Sequence, residues 1–271
     1  MALKKTARNY SFLWGRNRPL PVPKWHFCYM QEALGEPIVR GRIGIDVGSG
    51  CGYDTNIIAK NNPSVKIVSV DISDGVYVSK KLNSQLKNVN IIKNSILDMP
   101  IKNGIFDFAY SFGALHHTTD PEKGLLEINR ILKAGCPVFL YLYEDHSDNI
   151  LKYGAVKIVA RLRFLSTKLP PSALYFLCCL FSPFVFFIFT LPANFLRIFK
   201  PYAGIADSFP FNFCTSPFSV RGDLYDRFSV PIEHRFSKTG IQNVFLRSGF
   251  DNPYITRLKN AAGWVVKAYK K

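Results

Sequence analysis

The residues best suited to chemistry in this chain are three glycines at alternate positions, Gly48, Gly50 and Gly52, which follow the apolar segment Ile43–Val47. An apolar run, a glycine turn and a helical pattern predict a strand, a tight turn and a helix. Glycine permits φ > 0 and lets a ligand approach the backbone without meeting a Cβ atom. The first N–H groups of the next helix have no partner inside that helix, so they can face a ligand. The pattern therefore predicts a cofactor cradle.

The glycine spacing separates two classes of cofactor. A dinucleotide fingerprint, G-x-G-x-x-G, would place its third glycine at position 53, which is Tyr53. The chain instead reads D-x-G-x-G-x-G from Asp46 to Gly52, which resembles the first motif of class I S-adenosylmethionine (SAM)-dependent methyltransferases. The resemblance implies that SAM is the cofactor and that Asp46, Ser49 and the three glycines contact it.

Asp71 is the next candidate for the cofactor site. It ends the β-branched run 65–70, about 20 residues beyond the glycines, where two ribose hydroxyls can donate to one carboxylate. The alternative role is a helix cap, but Ser73 and Asp74 can serve the following helix. We therefore predict that Asp71 binds the ribose.

The family resemblance also places the loop after a third predicted strand, 90–94, beside the adenine ring. Ser95 stands where the family usually carries an acidic residue, and its hydroxyl is a weaker partner for the adenine amino group than a carboxylate. The resemblance implies that Ile96 offers its backbone N–H to the ring and that Ile72 offers an apolar face.

Candidate catalytic residues follow the fourth and fifth predicted strands. The segment 105–135, which contains LHH and an Asp-Pro helix start, resembles the UbiE-like and general small-molecule methyltransferases. Methyl transfer requires in-line alignment, and a hydroxyl acceptor must also lose its proton. His116, His117 and His146, with Glu144 behind them, are the candidate bases. Each histidine could instead be a structural wall of the site, and a carbon or amine acceptor can react without any of them.

The resemblance implies an α/β fold, a doubly wound Rossmann-like seven-stranded sheet with a reversed C-terminal hairpin strand. We predict an N-terminal strap or lid over 1–42, a SAM-binding core over 43–149, and a C-terminal part over 207–271 that completes the methyltransferase domain. Within the strap, Tyr10 and Trp14 are candidates for a lid over the cofactor.

An insertion over 150–206 is not required by this core. It holds seven basic residues and no acidic one. Helical periodicity places Lys157, Arg161 and Lys168 on one face and residues such as Leu162 on another, which predicts a basic amphipathic helix. The run 174–191 is uncharged. As a helix of 18 residues it would reach about 27 Å, short of a hydrocarbon core of about 30 Å. The alternatives are an in-plane or re-entrant membrane contact, a membrane span, and an apolar cap packed within the protein or a dimer.

Composition limits the partners. The 271 residues carry 35 basic and 19 acidic side chains, a net charge of +16 that attracts the phosphates of nucleic acid or of anionic lipid. The segment after the fourth strand has neither [DN]-P-P-[YF] nor a Pro-Cys pair, which argues against nucleic acid. The six cysteines form no C-x-x-C pair, so we predict no metal site and a reducing, cytoplasmic location, at the cytoplasmic face of a membrane if the insertion binds one.

The sequence therefore predicts a SAM-dependent methyltransferase of a small-molecule, amphiphilic or lipid-like acceptor such as a quinone precursor, an isoprenoid or a lipid-linked sugar. The alternatives are a methyltransferase of a soluble metabolite or surface-polysaccharide sugar, with the insertion as a lid, and a non-catalytic SAM-binding protein at the membrane surface. The oligomeric state stays open, a homo-oligomer included.

Overall fold

The computed structural model describes residues 2–16, 26–206, 209–212, 214, 216–258 and 263–271. Two compact units are present, one formed by residues 1–149 with 232–271 and the other by residues 150–231. The strands are β1 (Ile43–Val47), β2 (Lys66–Asp71), β3 (Val89–Lys93), β4 (Phe108–Phe112), β5 (Pro137–Tyr143), β6 (Tyr254–Arg257) and β7 (Gly263–Tyr269). The helices are α1 (Ala2–Arg16), α2 (His26–Leu34), α3 (Tyr53–Asn61), α4 (Gly75–Leu82), α5 (Pro121–Ile131), α6 (Ile150–Ser166), α7 (Pro171–Val185), α8 (Leu191–Ile198), α9 (Ala203–Ala206), α10 (Pro217–Ser229) and α11 (Lys238–Arg247).

The first unit is built on one seven-stranded sheet in the order β3-β2-β1-β4-β5-β7-β6. Strands β1 to β5 are parallel, whereas β7 is antiparallel to both β5 and β6. The predicted seven-stranded sheet with a reversed C-terminal strand is confirmed. Because parallel strands end at one edge, the carboxyl ends of β1, β2, β4 and β5 meet there.

The sheet is buried on both faces, as expected for parallel strands covered by helices. On β4, Phe108 and Tyr110 belong to one hydrophobic cluster and Ala109 to the other. The alternation follows from the two-residue period of a strand.

Helix ends in the first unit follow local capping chemistry. The Asp120 side chain accepts a hydrogen bond from Lys123 N at 2.9 Å, with Pro121 at the first helical position of α5. Likewise, the Ser237 hydroxyl accepts from Gly240 N at 3.0 Å at the start of α11. Helix α1 was not predicted as a helix, and residues 17–25, which include part of the predicted strap, lie outside the described residues.

The second unit differs from the predicted insertion at its C-terminal boundary, since it continues to residue 231 rather than 206. The reason is α10, which packs against α6 and α7 instead of completing the methyltransferase domain. Helix α7 continues through a π-helical segment, Phe186–Thr190, into α8, so Pro183 does not end it. The Cys179 carbonyl, which a residue other than proline at position 183 would meet with its N–H, accepts a hydrogen bond from Ser182 Oγ at 3.2 Å instead.

Candidate active site

The glycine turn after β1 is fixed by backbone bonds and by close packing. Gly48, Gly50 and Gly52 have φ of 76°, 56° and 77°, a conformation that side chains rarely adopt. A Cβ atom on Gly48 would lie 2.1 Å from the Ala114 Cβ atom, and one on Gly52 would lie 2.0 Å from Ser79 Oγ. These two glycines therefore also allow the turn to pack against its neighbours.

Asp71 connects this turn to the end of β2. Its Oδ2 atom accepts a hydrogen bond from Gly50 N at 2.8 Å, and its Oδ1 atom accepts from the N and Oγ atoms of Ser73 at 2.7 and 2.6 Å. A carboxylate offers about four acceptor positions, so about one remains for a ligand. Burial raises the pKa of Asp71 despite these bonds. A ribose diol would take the remaining position and compete with Ser73 for another.

Asp46 and Ser49 make their visible contacts inside the chain. Thr55 Oγ1 donates to Asp46 Oδ2 at 2.5 Å, and burial raises the pKa of Asp46 to about 8. The hydroxyls of Ser49 and Ser69 lie 2.6 Å apart. These contacts hold the turn against α3 and β2, and the predicted contacts of both residues with SAM stay predictions.

The loop predicted to flank adenine lies beside the same turn. The Ile96 Cδ1 atom is 3.3 Å from where a Cβ atom on Gly48 would be. Ser95 Oγ accepts a hydrogen bond from Leu97 N at 3.2 Å, which holds the serine side chain against the start of its own loop. Ile72 is half-buried at the end of β2. The structure thus brings the residues predicted for the adenine and ribose around one glycine turn.

Helix α1 lies over this turn. A Cβ atom on Gly50 would be 3.0 Å from the Trp14 ring, and one on Gly75 would be 2.9 Å from Trp14 Cδ1. At the start of α4, Asp74 N donates to Ser11 Oγ at 2.8 Å. The strap therefore contacts both elements that border the predicted cofactor site.

The strap also reaches the paired histidines. The rings of Tyr10 and Trp14 are stacked with centroids 6.2 Å apart, and Tyr10 lies 5.8 Å from the ring of His117. An aromatic row thus leads from the glycine turn to the segment after β4. Tyr10 and Trp14 lie where a lid would lie, and their function as a lid stays a prediction.

His117 is buried, and one hydrogen bond fixes the tautomer of its neutral ring. Its Nδ1 atom lies 2.8 Å from the carbonyl oxygen of Ile232. Because a carbonyl only accepts, Nδ1 carries the proton and Nε2 carries the lone pair. This is the tautomer that a general base requires.

His116 occupies a different environment. It is fully buried against Tyr143, with ring centroids 3.9 Å apart, and neither ring nitrogen has a hydrogen-bond partner in the described part of the chain. Burial, followed by the charge of His117, holds its pKa well below the ordinary value, so the ring is neutral at pH 7. An unpartnered buried imidazole is unusual and is consistent with a site that a ligand completes.

Glu144 and His146 are directed away from these histidines. Successive strand side chains point to opposite faces, so Tyr143 reaches His116 whereas Glu144 lies on the other side of the sheet. Arg257 donates to the Glu144 carboxylate through Nε and Nη2 at 3.0 and 2.5 Å, and His146 Nδ1 lies 3.6 Å from Glu144 Oε2. The structure therefore divides the four candidate bases into two pairs.

Ile232, Tyr143 and Arg257 were missed by sequence reasoning. The carbonyl that orients His117 is 115 residues away in the chain, and no motif marks it. Tyr143 had a usable signal, because an aromatic residue at the carboxyl end of the fifth strand borders the site.

A family model described as "Methyltransferase domain" matches residues 45–140. This span contains the end of β1, all of β2 to β4, the glycine turn, Asp71, and both His116 and His117. The solved SAM-dependent methyltransferase of Aquifex aeolicus, at 12% identity, superposes with a TM-score of 0.54 over 96% of each chain. The chain is therefore similar to SAM-dependent methyltransferases: residues 45–140 match a methyltransferase domain, and the fold is the one that this solved structure shares.

The curated relatives match only part of this chain and part of their own length. The 2-methyl-6-phytyl-1,4-hydroquinone methyltransferase 1 of Oryza sativa is 32% identical over 34% of this chain and 28% of its own. The tRNA (carboxymethyluridine(34)-5-O)-methyltransferase of Saccharomyces cerevisiae is 34% identical over 34% and 31%. The demethylmenaquinone methyltransferase of Staphylococcus aureus is 26% identical over 41% and 47%. The chain thus spans about a third to a half of the length of these relatives.

The glycine turn and Asp71 fit the superfamily's cofactor, SAM. At Gly50 the turn leaves no room for a side chain, since a Cβ atom there would lie 3.0 Å from the Trp14 ring, and Asp71 supplies a carboxylate next to the turn. The names of these relatives specify chemically different acceptors, a hydroquinone, a tRNA and demethylmenaquinone.

Proposed function

We propose that this protein transfers a methyl group from SAM to a small amphiphilic or membrane-associated acceptor, such as a quinone precursor, an isoprenoid or a lipid-linked sugar. One observation carries the proposal: an aromatic row joins the glycine turn to a histidine whose Nε2 atom holds a lone pair. A donor cradle and a base thereby border one site.

In this mechanism Asp71 and the glycine turn would hold SAM, which supplies an electrophilic methyl group on its sulfonium. His117 accepts the proton of an acceptor hydroxyl at Nε2, while the Ile232 carbonyl keeps the Nδ1 proton and the ring orientation. His116 packs beside it and stays neutral, so it lines the site without competing for the proton. Correct protonation and orientation of a base contribute about 10²- to 10⁴-fold to a rate.

The acceptor class is supported from two sides. Two of the relatives named above act on quinone-type acceptors, a phytyl-hydroquinone and demethylmenaquinone. The second unit, which includes the predicted insertion 150–206, exposes many apolar side chains and carries a basic sequence. We propose that this segment makes a peripheral membrane contact, which would place the enzyme at a membrane that holds its acceptor.

SAM binding tests the donor side. Calorimetry on the wild-type protein is expected to give micromolar binding, and Asp71→Ala is expected to lose it because the glycine turn and the ribose lose a shared partner. Asp251→Ala, which removes an exposed carboxylate elsewhere in the first unit, is the matched control and should bind SAM like the wild type. Equal binding by Asp71→Ala and the wild type would remove Asp71 from the site, and no binding by any of them would remove the proposal.

Transfer from radiolabelled SAM tests the acceptor side. Organic and aqueous cell extracts are incubated separately with enzyme, and the label is expected in the organic phase. Label that appears only in the aqueous products would replace the amphiphilic acceptor with a soluble one.

A further inference from the structure

The long apolar helix of the second unit is exposed along one side only. Helices α7 and α8 with the π-helical segment form one helix over Pro171–Ile198, about 42 Å long. By length and composition it could cross a membrane. Its exposed apolar side chains recur every three or four residues, which is one continuous stripe. The stripe residues are Phe176, Leu177, Leu180, Phe181, Phe184, Phe187, Ile188, Leu191, Phe195 and Ile198.

The opposite side of this helix is covered by the unit's own chain. Leu174, Cys178 and Ser182 are buried at four-residue intervals, and α7 packs against α10. Farther along, Thr190 Oγ1 donates to the Phe211 carbonyl at 3.0 Å, and Asn194 Nδ2 donates to the Cys214 carbonyl at 3.2 Å. Non-helical backbone at Phe211 and Cys214 therefore lies along this side of the helix, which leaves only the exposed side available to a bilayer.

Helix α6 directs two polar side chains, Arg163 and Ser166, toward the rest of its unit, while its Lys157 and Arg161 are exposed. Arg163 is buried and its Nε atom donates to the Arg227 carbonyl at 2.7 Å, while Ser166 Oγ donates to the Phe228 carbonyl at 2.6 Å. These carbonyls belong to the last turn of α10, whose unpaired oxygens and dipole favour a cation. The apolar side chains of α6, Ile158, Leu162 and Leu165, are exposed instead. In a helix that packs in water the apolar side would be the buried one.

The charges on this surface indicate its partner. Residues 150–206 contain no acidic side chain. Lys157 lies over the ring of Tyr153 at 5.0 Å, and Lys168 lies over the ring of Phe164 at 4.3 Å. Ammonium groups above exposed aromatic rings are suited to the level of lipid head groups. Two copies of the same basic surface would repel each other, whereas an anionic bilayer would attract it.

We infer that the second unit binds the surface of an anionic bilayer as an in-plane, monotopic element, with the Phe176 to Ile198 stripe in the acyl region and Lys157, Arg161 and Lys168 at the phosphates. The inference rests on the proposed membrane contact and specifies its partner and orientation. The helix does not cross the bilayer, and both of its ends remain on one side.

Vesicle flotation of the full-length protein tests the binding. Vesicles of phosphatidylcholine with about 30 mol% phosphatidylglycerol are expected to carry the protein, and pure phosphatidylcholine is expected to carry much less. Replacing Lys157, Arg161 and Lys168 together by glutamine should weaken partition roughly a hundredfold, since each basic residue near the surface contributes about fivefold. Glutamine at the exposed Lys66, Lys87 and Lys102 of the first unit is the matched control. Equal loss in both triple variants would overturn the inference.

The apolar stripe is tested by single charges. Leu180→Glu and Leu162→Glu are each expected to lower partition at least tenfold, because a carboxylate in the acyl region opposes insertion. Leu126→Glu and Leu246→Glu replace leucines of the first unit that are similarly exposed and should change nothing. The inference would be overturned if the wild type did not bind vesicles and instead formed a dimer in sedimentation velocity that Leu180→Glu dissociates. The surface would then be an interface with a second copy of the chain.

Depth measurements distinguish an in-plane helix from a span. Phe176→Trp, Phe187→Trp and Ile198→Trp place reporters along the stripe, and brominated lipids report depth by quenching. An in-plane helix gives three similar, shallow depths, whereas a deep centre with shallow ends would overturn the orientation. Calorimetry with SAM on the same proteins separates the two proposals. SAM binding without vesicle binding would overturn only this inference, whereas vesicle binding without SAM binding would overturn only the proposed cofactor site.

Discussion

At the scale of single residues, the site distinguishes two adjacent histidines by their surroundings. Hydrogen bonding to Ile232 fixes the tautomer of His117, whereas neither ring nitrogen of His116 has a hydrogen-bond partner among the described residues and burial strongly lowers its pKa. Identical side chains therefore have different chemistry because their partners differ. The contrast is the basis for the proposal that His117 is the base and that His116 is a neutral wall of the site.

Substituting the histidines separately checks this assignment. His117→Phe is expected to lower methyl transfer to a hydroxyl acceptor by about 10²-fold or more while SAM affinity stays within about twofold, because the base is lost and the cradle remains. His116→Phe keeps the stacked ring and removes two unpartnered nitrogens, so turnover should fall much less. Single-turnover rates at several pH values measure both effects, and a larger loss with His116→Phe would reverse the roles.

Asp46 makes a separate, pH-dependent contribution. In the ligand-free fold its pKa is about 8, against an ordinary value of 3.8. The folded state therefore holds a proton that the unfolded chain releases between these values, and stability falls as pH rises through that window. We expect the free energy of unfolding of Asp46→Asn, relative to that of the wild type, to rise by about 1.4 kcal/mol per pH unit between pH 5 and pH 7. Urea unfolding at both values measures the difference, and a difference independent of pH would contradict the raised pKa.

At the scale of elements, α1 determines the surface of the cofactor site. Trp14 closes over Gly50, and Ser11 accepts a backbone N–H at the start of α4. The turn, the strap and α4 thus depend on one another. A substitution in the glycine turn should consequently alter the packing of the strap on the turn.

Alanine at two glycines separates backbone strain from the strap contact. Gly50 and Gly104 have φ of 56° and 64°, so alanine costs about 1–2 kcal/mol at either position. Only Gly50 faces another group, the Trp14 ring, since a Cβ atom on Gly104 meets nothing within 4 Å. In calorimetry the affinity of Gly50→Ala for SAM is expected to be lower than that of the wild type by tenfold or more, whereas the affinity of Gly104→Ala should be unchanged. Equal affinities would show that the strap contact is irrelevant to the cofactor.

At the scale of the whole molecule, the chain combines a methyltransferase unit with a second unit of different surface character. The first unit follows the superfamily's topology, while the second exposes apolar side chains and a surplus of basic ones. The +16 net charge is therefore partly concentrated where a membrane contact is proposed. Salt should affect the two units differently.

Raising the salt concentration tests this division. Screening lengths fall from about 10 Å at 0.1 M to about 3 Å at 1 M, so partition onto anionic vesicles should drop by tenfold or more across that range. SAM affinity depends on short hydrogen bonds in the cradle and should change by less than about threefold. Flotation and calorimetry in the same buffers measure the two quantities. Parallel losses would indicate that one charged surface serves both functions.

Much of the first unit could be predicted from local pattern. The glycine spacing, Asp71 after β2 and the Asp120 cap are set by neighbours in sequence, because turns, strand ends and helix caps depend on a few adjacent residues. The boundary of the second unit could not be predicted in this way, because α10 is defined by packing against α6 and α7.

The sequence by itself predicted the strand, turn and helix around the three glycines, since these depend on motif spacing and on hydrophobic period, and the resemblance to class I SAM-dependent methyltransferases implied the sheet with its reversed strand. Only the tertiary structure decided which histidine receives the Ile232 carbonyl, that Glu144 pairs with Arg257, and that the apolar side of α6 faces outward. Each of these depends on partners tens to more than a hundred residues away. Chain folding, rather than local propensity, brings such partners together.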